Sequence, residues 1–370
     1  MNKRILAEPG YRLNRRQALL GGTALGAAAA MGAVGFPRRA QAASGTVKML
    51  VWEGYDNADA FAPLSDITIE AGYLAANEDT ITKTQPAGAF DMLTIYQGMV
   101  DPLVALGRIA PVDTSRLSNY GELYPFFRDS EAFRRNGEVY AVPYAWGSME
   151  VLYDADNTDA PKSFDDLMSP ALTGKIAMVD DAYAGITTFA RYAGFDDANN
   201  LTSDQLDQVM ALLLKFKPQL LAIAPSYGEL PAMFSRREIL VSVPDWAPTA
   251  IAAADSGVNV QSTIPEEGGL SFVDSWMMVS GSENPDGAYA VLDQALSADA
   301  QAIIGENTWL GIVNPAGVSK MSEAMAGAYR YDEIDTVFAQ APLYAGVPIE
   351  PGEYTTLDEW LARWTDFKAA

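Results

Sequence analysis

The chain has 370 residues, 25 Lys and Arg against 48 Asp and Glu, a formal net charge of −23, and neither Cys nor His. Without thiols there is no disulfide framework and no thiolate chemistry; without imidazole there is no Ser-His or Cys-His pair and none of the usual zinc or copper ligands. The acidic balance repels nucleic acid and anionic lipid and attracts cations, although it serves solubility equally well.

Residues 12–42 read RLNRRQALLGGTALGAAAAMGAVGFPRRAQA. A basic region ending in Arg15-Arg16 leads into an Ala/Gly-rich stretch from Ala18 to Val34. Ala40-Gln41-Ala42 then offers small residues at both positions that a signal peptidase reads. The stretch falls short of the roughly 20 apolar residues that a spanning helix needs. The paired arginines, with Arg38-Arg39 just before the cut, resemble a twin-arginine signal, with Asn14 and Ala18 where Ser or Thr and Phe are commoner. Residues 1–42 are therefore expected to be a removed signal that sends a folded product to the periplasm. Seven basic residues and one acid lie before Ala43, which leaves a net charge of −29 on the remainder. That remainder is too long for one small domain and suits two lobes.

The first predicted strand is 47–52, an apolar run bounded by polar residues. Trp52, Glu53 and Tyr55 stand at its C-terminal end, where ligands gather in open α/β sheets. A second strand is predicted over 90–95, a helix over 100–109, and an aromatic, turn-rich stretch over 123–133. Residues 138–147 read as an extended strand passing through Pro143 and continuing to 153. Ser163 caps a short helix ending at Leu167. Residues 175–181 predict a strand ending in two carboxylates, Asp180 and Asp181, of which Asp180 is assigned to a helix cap. Helices follow over 186–193 and 204–216, then a strand over 239–243 that leads to Asp245 and Trp246. Further strands are predicted at 258–260 and 271–279, and helices at 286–298, from 300, and at 357–367. This alternation argues an α/β fold. With no repeat and no long linker, two lobes must meet through short crossing strands, expected at 143–147 and 274–276.

Five blocks occur in an order that resembles the periplasmic polyamine-binding proteins of spermidine/putrescine importers. They are Val51-Trp52-Glu53-Gly54-Tyr55, Ala89-Phe90-Asp91-Met92, Val142-Pro143-Tyr144-Ala145-Trp146-Gly147, Val179-Asp180-Asp181-Ala182, and the run from Glu266-Glu267-Gly268-Gly269 to Asp274-Ser275. The resemblance implies a type II periplasmic-binding-protein clamshell, two lobes joined by hinge strands. Lobe 1 is expected from 43–144 plus about 276–321, and lobe 2 from 145–275 plus about 322–370. It implies a small cationic amine as ligand and an ABC permease and ATPase of the inner membrane as partners. It implies no cofactor, no metal, no catalysis and a monomer.

Carried over residue by residue, the resemblance puts Trp52, Glu53 and Tyr55 on the first binding segment and Tyr96 on the pocket lining. Asp181 falls on an ammonium-binding carboxylate, Trp246 on a wall aromatic, Phe272 where the family usually has Trp, and Asp274 on the central ammonium-binding aspartate. Two departures stand out. Ala184 occupies a position where the family tends to carry a glutamate, and the segment Ile95-Tyr96-Gln97-Gly98 is altered.

The residues themselves keep other roles open. Trp52 and Trp246 suit a core as well as a cleft, and Glu53 suits a rim. Tyr144 and Trp146 read as hinge packing, and Asp245 and Trp309 as further cleft residues. Asp274 lies in an otherwise apolar strand, where an unpaired charge is costly and a function is the simpler reading. The rivals are a carboxylate-based hydrolase, a ferric binder built from Tyr55, Tyr96 and Tyr183, and a receptor for an opine, amino acid or sugar-like solute.

Overall fold

The computed structural model describes residues 43–74, 77 and 79–370. The expected signal segment lies outside them. Residues 43–370 form one compact unit, and no helix among the described residues is long and apolar enough to cross a membrane.

Alternating strands and helices build one continuous mixed sheet. At one end, Gly45–Val51 pairs in parallel with Ile67–Tyr73 and with Met92–Tyr96. Two long strands follow, Leu270–Val279 and Val142–Asp154, antiparallel to each other. Val241–Asp245 then pairs antiparallel with the second of these, and Ile176–Val179 and Leu220–Ala224 complete the other end in parallel.

Side-chain alternation explains why the sheet is covered on both faces at this second end. Val151, Ile176 and Met178 point into a core with Ile186, Phe189, Leu213, Trp360 and Trp364. Their neighbours Leu152, Ala177 and Val179 point into a smaller core with Phe234, Ile239 and Val260. At the first end, Val47–Val51, Met92, Leu93 and Ile95 share a core with Val142–Trp146 and Val273–Val279.

Both long strands therefore change cores along their length. Val142–Asp154 passes from the first core at Trp146 to the second at Val151, and the other strand passes from Leu270 to Val273. The changeover lies between Trp146 and Met149 on one strand and between Leu270 and Phe272 on the other, since Met149 packs with the second core and Phe272 with the first. A third segment crosses beside them. Gly269 and Ser271 donate backbone N–H bonds to Gln340 (3.1 Å) and Pro342 (3.1 Å), and Ser271 bridges to Leu343.

The Glu-Gly-Gly run belongs to this junction. A Cβ on Gly269 would sit 2.5 Å from the Met149 carbonyl oxygen, and Gly268 adopts φ +92° with its Cα against the Gln340 carbonyl. Glu267 accepts from Phe164 N–H (2.9 Å) at the start of the helix Phe164–Leu167. These residues set the approach of three crossing segments.

Met325, Tyr329, Tyr331, Ile334, Val337 and Phe338 all pack into the first core. The cause is the aromatic cluster around Trp146, which holds the rings of Tyr329, Tyr331 and Phe338 at centroid distances of 5.0, 6.0 and 5.4 Å. Tyr144 and Trp146 are fully buried packing residues, as expected.

Candidate functional site

The parallel strands end on a common side, and their C-terminal ends surround a cavity of about 820 Å³. Trp52, Glu53 and Tyr55 follow Gly45–Val51, and Tyr96 ends Met92–Tyr96. Asp180 and Asp181 follow Ile176–Val179, and Trp246 follows Val241–Asp245. Phe272 and Asp274 enter from the crossing strand. The structure thus brings all eight residues singled out in the sequence, Trp52, Glu53, Tyr55, Tyr96, Asp181, Trp246, Phe272 and Asp274, onto one cavity.

Asp274 is buried, and among the described residues the Tyr55 hydroxyl, donating to Oδ2 at 2.5 Å, is its side chain's one partner, so that Oδ1 accepts nothing from them. Burial pushes the carboxyl up to about 6, against the opposing pull of the Tyr55 bond. The same burial, together with the Asp274 charge, pushes the Tyr55 hydroxyl well up. Glu53 is exposed and has no hydrogen-bond or ion-pair partner among the described residues.

The other two carboxylates are engaged. Asp181, rather than Asp180, caps the helix Ala182–Tyr192, accepting from Ala184 N–H at 2.9 Å and from the Tyr227 hydroxyl at 3.2 Å. Asp180 points away from that helix because Trp364 and Lys368 of the C-terminal helix hold it, with 2.8 Å from Trp364 Nε1 and 2.7 Å from Lys368 Nζ. Burial raises Asp181, partly offset by its helix-cap and Tyr227 bonds. No Lys or Arg among the described residues lines the cavity.

The aromatic lining forms two groups of touching rings. Trp246 contacts Tyr227 at 5.3 Å and Phe272 at 5.8 Å between centroids, and Tyr96 contacts Tyr183 at 5.5 Å. Two glycines make room for it. A Cβ on Gly147 would meet the Phe272 ring at 2.7 Å, and one on Gly98 would meet the Tyr96 ring at 2.3 Å. The altered 95–98 segment is therefore a seat for Tyr96. Its Gln97 is buried, accepting from Val273 N–H (2.8 Å) and donating to the Tyr344 carbonyl (3.2 Å).

Asp245 and Trp309 do not line the cavity. Asp245 is fully buried and accepts from Ser242, from Trp246 N–H (2.8 Å) and from Thr249 (2.7 Å) at the start of the helix Ala247–Asp255. Burial pushes it up to about 7. Trp309 turns away at φ 57°, while Thr308 and Leu310 beside it face the cavity.

Several lining residues escaped the sequence reading. Tyr227 follows the strand Leu220–Ala224, which was not predicted; had it been, its position at the strand end would have drawn notice. Leu357 and Leu361 are spaced i, i+4 on the C-terminal helix Leu357–Ala369 and look like ordinary core positions of an amphipathic helix.

A family model described as bacterial extracellular solute-binding protein matches residues 89–336. The spermidine/putrescine-binding periplasmic protein of Escherichia coli is 26% identical over 247 residues, covering 66% of this chain and 69% of that protein. The putrescine/agmatine-binding protein of Pseudomonas aeruginosa is 24% identical over 231 residues, covering 58% and 62%. Among solved structures, the spermidine/putrescine ABC transporter substrate-binding protein of Streptococcus pneumoniae superposes with a TM-score of 0.70 at 18% identity, covering 88% of this chain and 98% of that one. The type II periplasmic-binding-protein fold expected from the sequence is thus the observed one. The family match takes in both crossing strands and most of the cavity wall, and the chain belongs to the bacterial extracellular solute-binding proteins.

Proposed function

We propose that this chain is the binding component of an ABC importer that captures a small organic ammonium compound, of the polyamine class in the broad sense, in this cavity and passes it to a membrane permease and its ATPase. One observation carries the reading. The cavity is walled by aromatic rings and carboxylates, and no basic side chain lines it. Such a site suits a cation, since a charge-assisted hydrogen bond is worth about 1.5–3 kcal/mol and an aromatic face roughly 0.5–2 kcal/mol. The names of the curated relatives point the same way.

Asp274 is the anchor for the ammonium group, held in place by Tyr55, with Glu53 beside it on the same segment. Trp52, Tyr96, Trp246 and Phe272 enclose the remainder. Asp181 shapes the facing wall by starting its helix and fixing Tyr227. The lobes follow the cores, 43–146 with 272–338 and 147–271 with 339–370, and they close on the ligand about the three crossing segments. The protein acts by binding alone, without a cofactor, as a monomer in the periplasm, after twin-arginine export and removal of residues 1–42.

The alternatives fit less well. A ligand bearing a free carboxylate needs a basic partner, which the cavity wall lacks. A ferric site needs phenolates, and burial raises the Tyr55 and Tyr183 hydroxyls instead.

The test is calorimetric titration of residues 43–370 with putrescine, spermidine and a panel of monoamines. Submicromolar binding of one amine, abolished by Asp274→Ala, is expected. Binding of no amine would overturn the ligand class.

A further inference from the structure

Taking the amine reading of the cavity as its basis, we infer that the occupant carries one cationic end only, seated at Asp274, and that its other end is uncharged and largely apolar. The argument is the availability of the four lining carboxylates. Asp180 is neutralised by Lys368 and also bonded by Trp364. Both oxygens of Asp181 already accept hydrogen bonds, and the positive end of an 11-residue helix partly offsets its charge. Among the described residues, Asp274 has one free oxygen and Glu53 has no hydrogen-bond or ion-pair partner. Both free carboxylates arise on one wall, because Glu53 lies two residues before Tyr55, which is bonded to Asp274.

The facing wall offers a second ammonium group little. Beyond the capped Asp181 it presents the neutral hydroxyls of Tyr183, Ser226 and Tyr227 and the apolar Val179, Ala182, Ala184, Pro225, Leu357 and Leu361. Leu361 is 45% exposed, a large apolar side chain left open at the cavity rather than buried in the core beneath its helix. An ammonium placed against that wall exchanges water for neutral hydroxyls and a carboxylate already engaged by its helix, whereas an alkyl or aromatic tail loses nothing and buries apolar surface. A diamine of matched length therefore binds more weakly than the corresponding monoamine.

The experiment uses matched pairs of one chain length, hexylamine against 1,6-diaminohexane, with phenethylamine as an aromatic-tailed probe, titrated into residues 43–370. The expected result is at least tenfold tighter binding of the monoamine than of the diamine. A diamine that binds as well or better overturns this inference and leaves the amine reading intact. Failure of these probes together with putrescine and spermidine overturns both. Leu361→Glu, an exposed helix position whose substitution leaves the melting temperature within a few degrees, places a carboxylate on the apolar wall and is expected to shift the monoamine-to-diamine ratio at least tenfold toward the diamine. An unchanged ratio in that variant counts against the facing wall as the seat of the tail.

Discussion

The Tyr55 hydroxyl donates to Asp274 Oδ2 at 2.5 Å, so that the phenol aims the carboxylate and leaves Oδ1 free toward the cavity. The Tyr55 ring is itself buried and set edge-on against Tyr144 at 5.2 Å. Tyr55→Phe keeps the ring and removes the donor. A hydrogen bond to a charged group contributes about 1.5–3 kcal/mol, so amine affinity is expected to fall ten- to a hundredfold. Because the Tyr55 bond lowers the Asp274 pKa, the variant also moves the onset of binding to higher pH. Calorimetry at several pH values reads both effects; weakened binding with an unmoved pH profile would show that the phenol does not tune Asp274.

Binding of a cation to Asp274 requires the ionised carboxylate, and burial pushes that carboxyl up to about 6. Above that value the carboxylate is ready; below it, ligand and proton compete. Affinity is therefore expected to be flat from pH 8 to 7 and to fall toward tenfold per unit below about pH 5. Asp274→Asn should lose more than a hundredfold at pH 7.5 and retain little of the dependence. A wild-type affinity that holds constant down to pH 4.5 would be incompatible with Asp274 as the anchor.

Asp245 links to stability rather than to ligand. Its folded value is about 7, raised from 3.8 by complete burial. Between those values the folded protein binds more protons than the unfolded chain, so this group's contribution to stability falls as pH rises from about 4 to about 7. A shift of about three units corresponds to on the order of 2–4 kcal/mol. The ligand-free protein is thus expected to melt several degrees higher at pH 6 than at pH 8. Asp245→Asn preserves the acceptor for Trp246 N–H and Thr249 and can donate to Ser242. Its melting temperature should vary less with pH and exceed that of the parent at pH 8. Identical slopes for variant and parent would remove Asp245 from the account.

Much of this arrangement was legible because the informative residues sit at the ends of strands with strong apolar patterns. Val47–Val51 and Ile176–Val179 are buried runs, and a polar or aromatic residue just beyond such a run lies where a sheet opens its cleft. The strand Ile67–Tyr73 was not predicted, since it lies at the sheet edge with no fully buried residue. Leu220–Ala224, at the opposite edge, was missed because only its last residue, Ala224, is buried, and Tyr227 with it. The helix cap was assigned to Asp180 rather than Asp181 because a cap depends on where the helix begins. The partner that draws Asp180 away, Lys368, lies 188 residues further on. The aromatic cluster that carries 322–338 into the first core is likewise a long-range contact, to which local pattern is blind.

Gly147 and Phe272 are cross-strand partners, and they join two blocks that looked independent in the sequence. A Cβ at 147 would stand 2.7 Å from the ring carbon Cζ and 2.8 Å from Cε1, so the glycine is the bed on which the Phe272 ring lies before meeting Trp246. Neighbouring strands cannot separate locally without breaking ladder hydrogen bonds, so Gly147→Ala must tilt the ring into the cavity. Affinity for the amine should fall about tenfold while the melting temperature drops only slightly, because Phe272 is not part of the fully buried core. Adding Phe272→Leu to Gly147→Ala relieves the collision, and the double variant should then behave like Phe272→Leu alone. In a double-mutant cycle that is a coupling of about 1 kcal/mol or more. Additive losses would mean that the ring does not rest on Gly147 when the ligand is bound, and that closure of the lobes repositions Phe272.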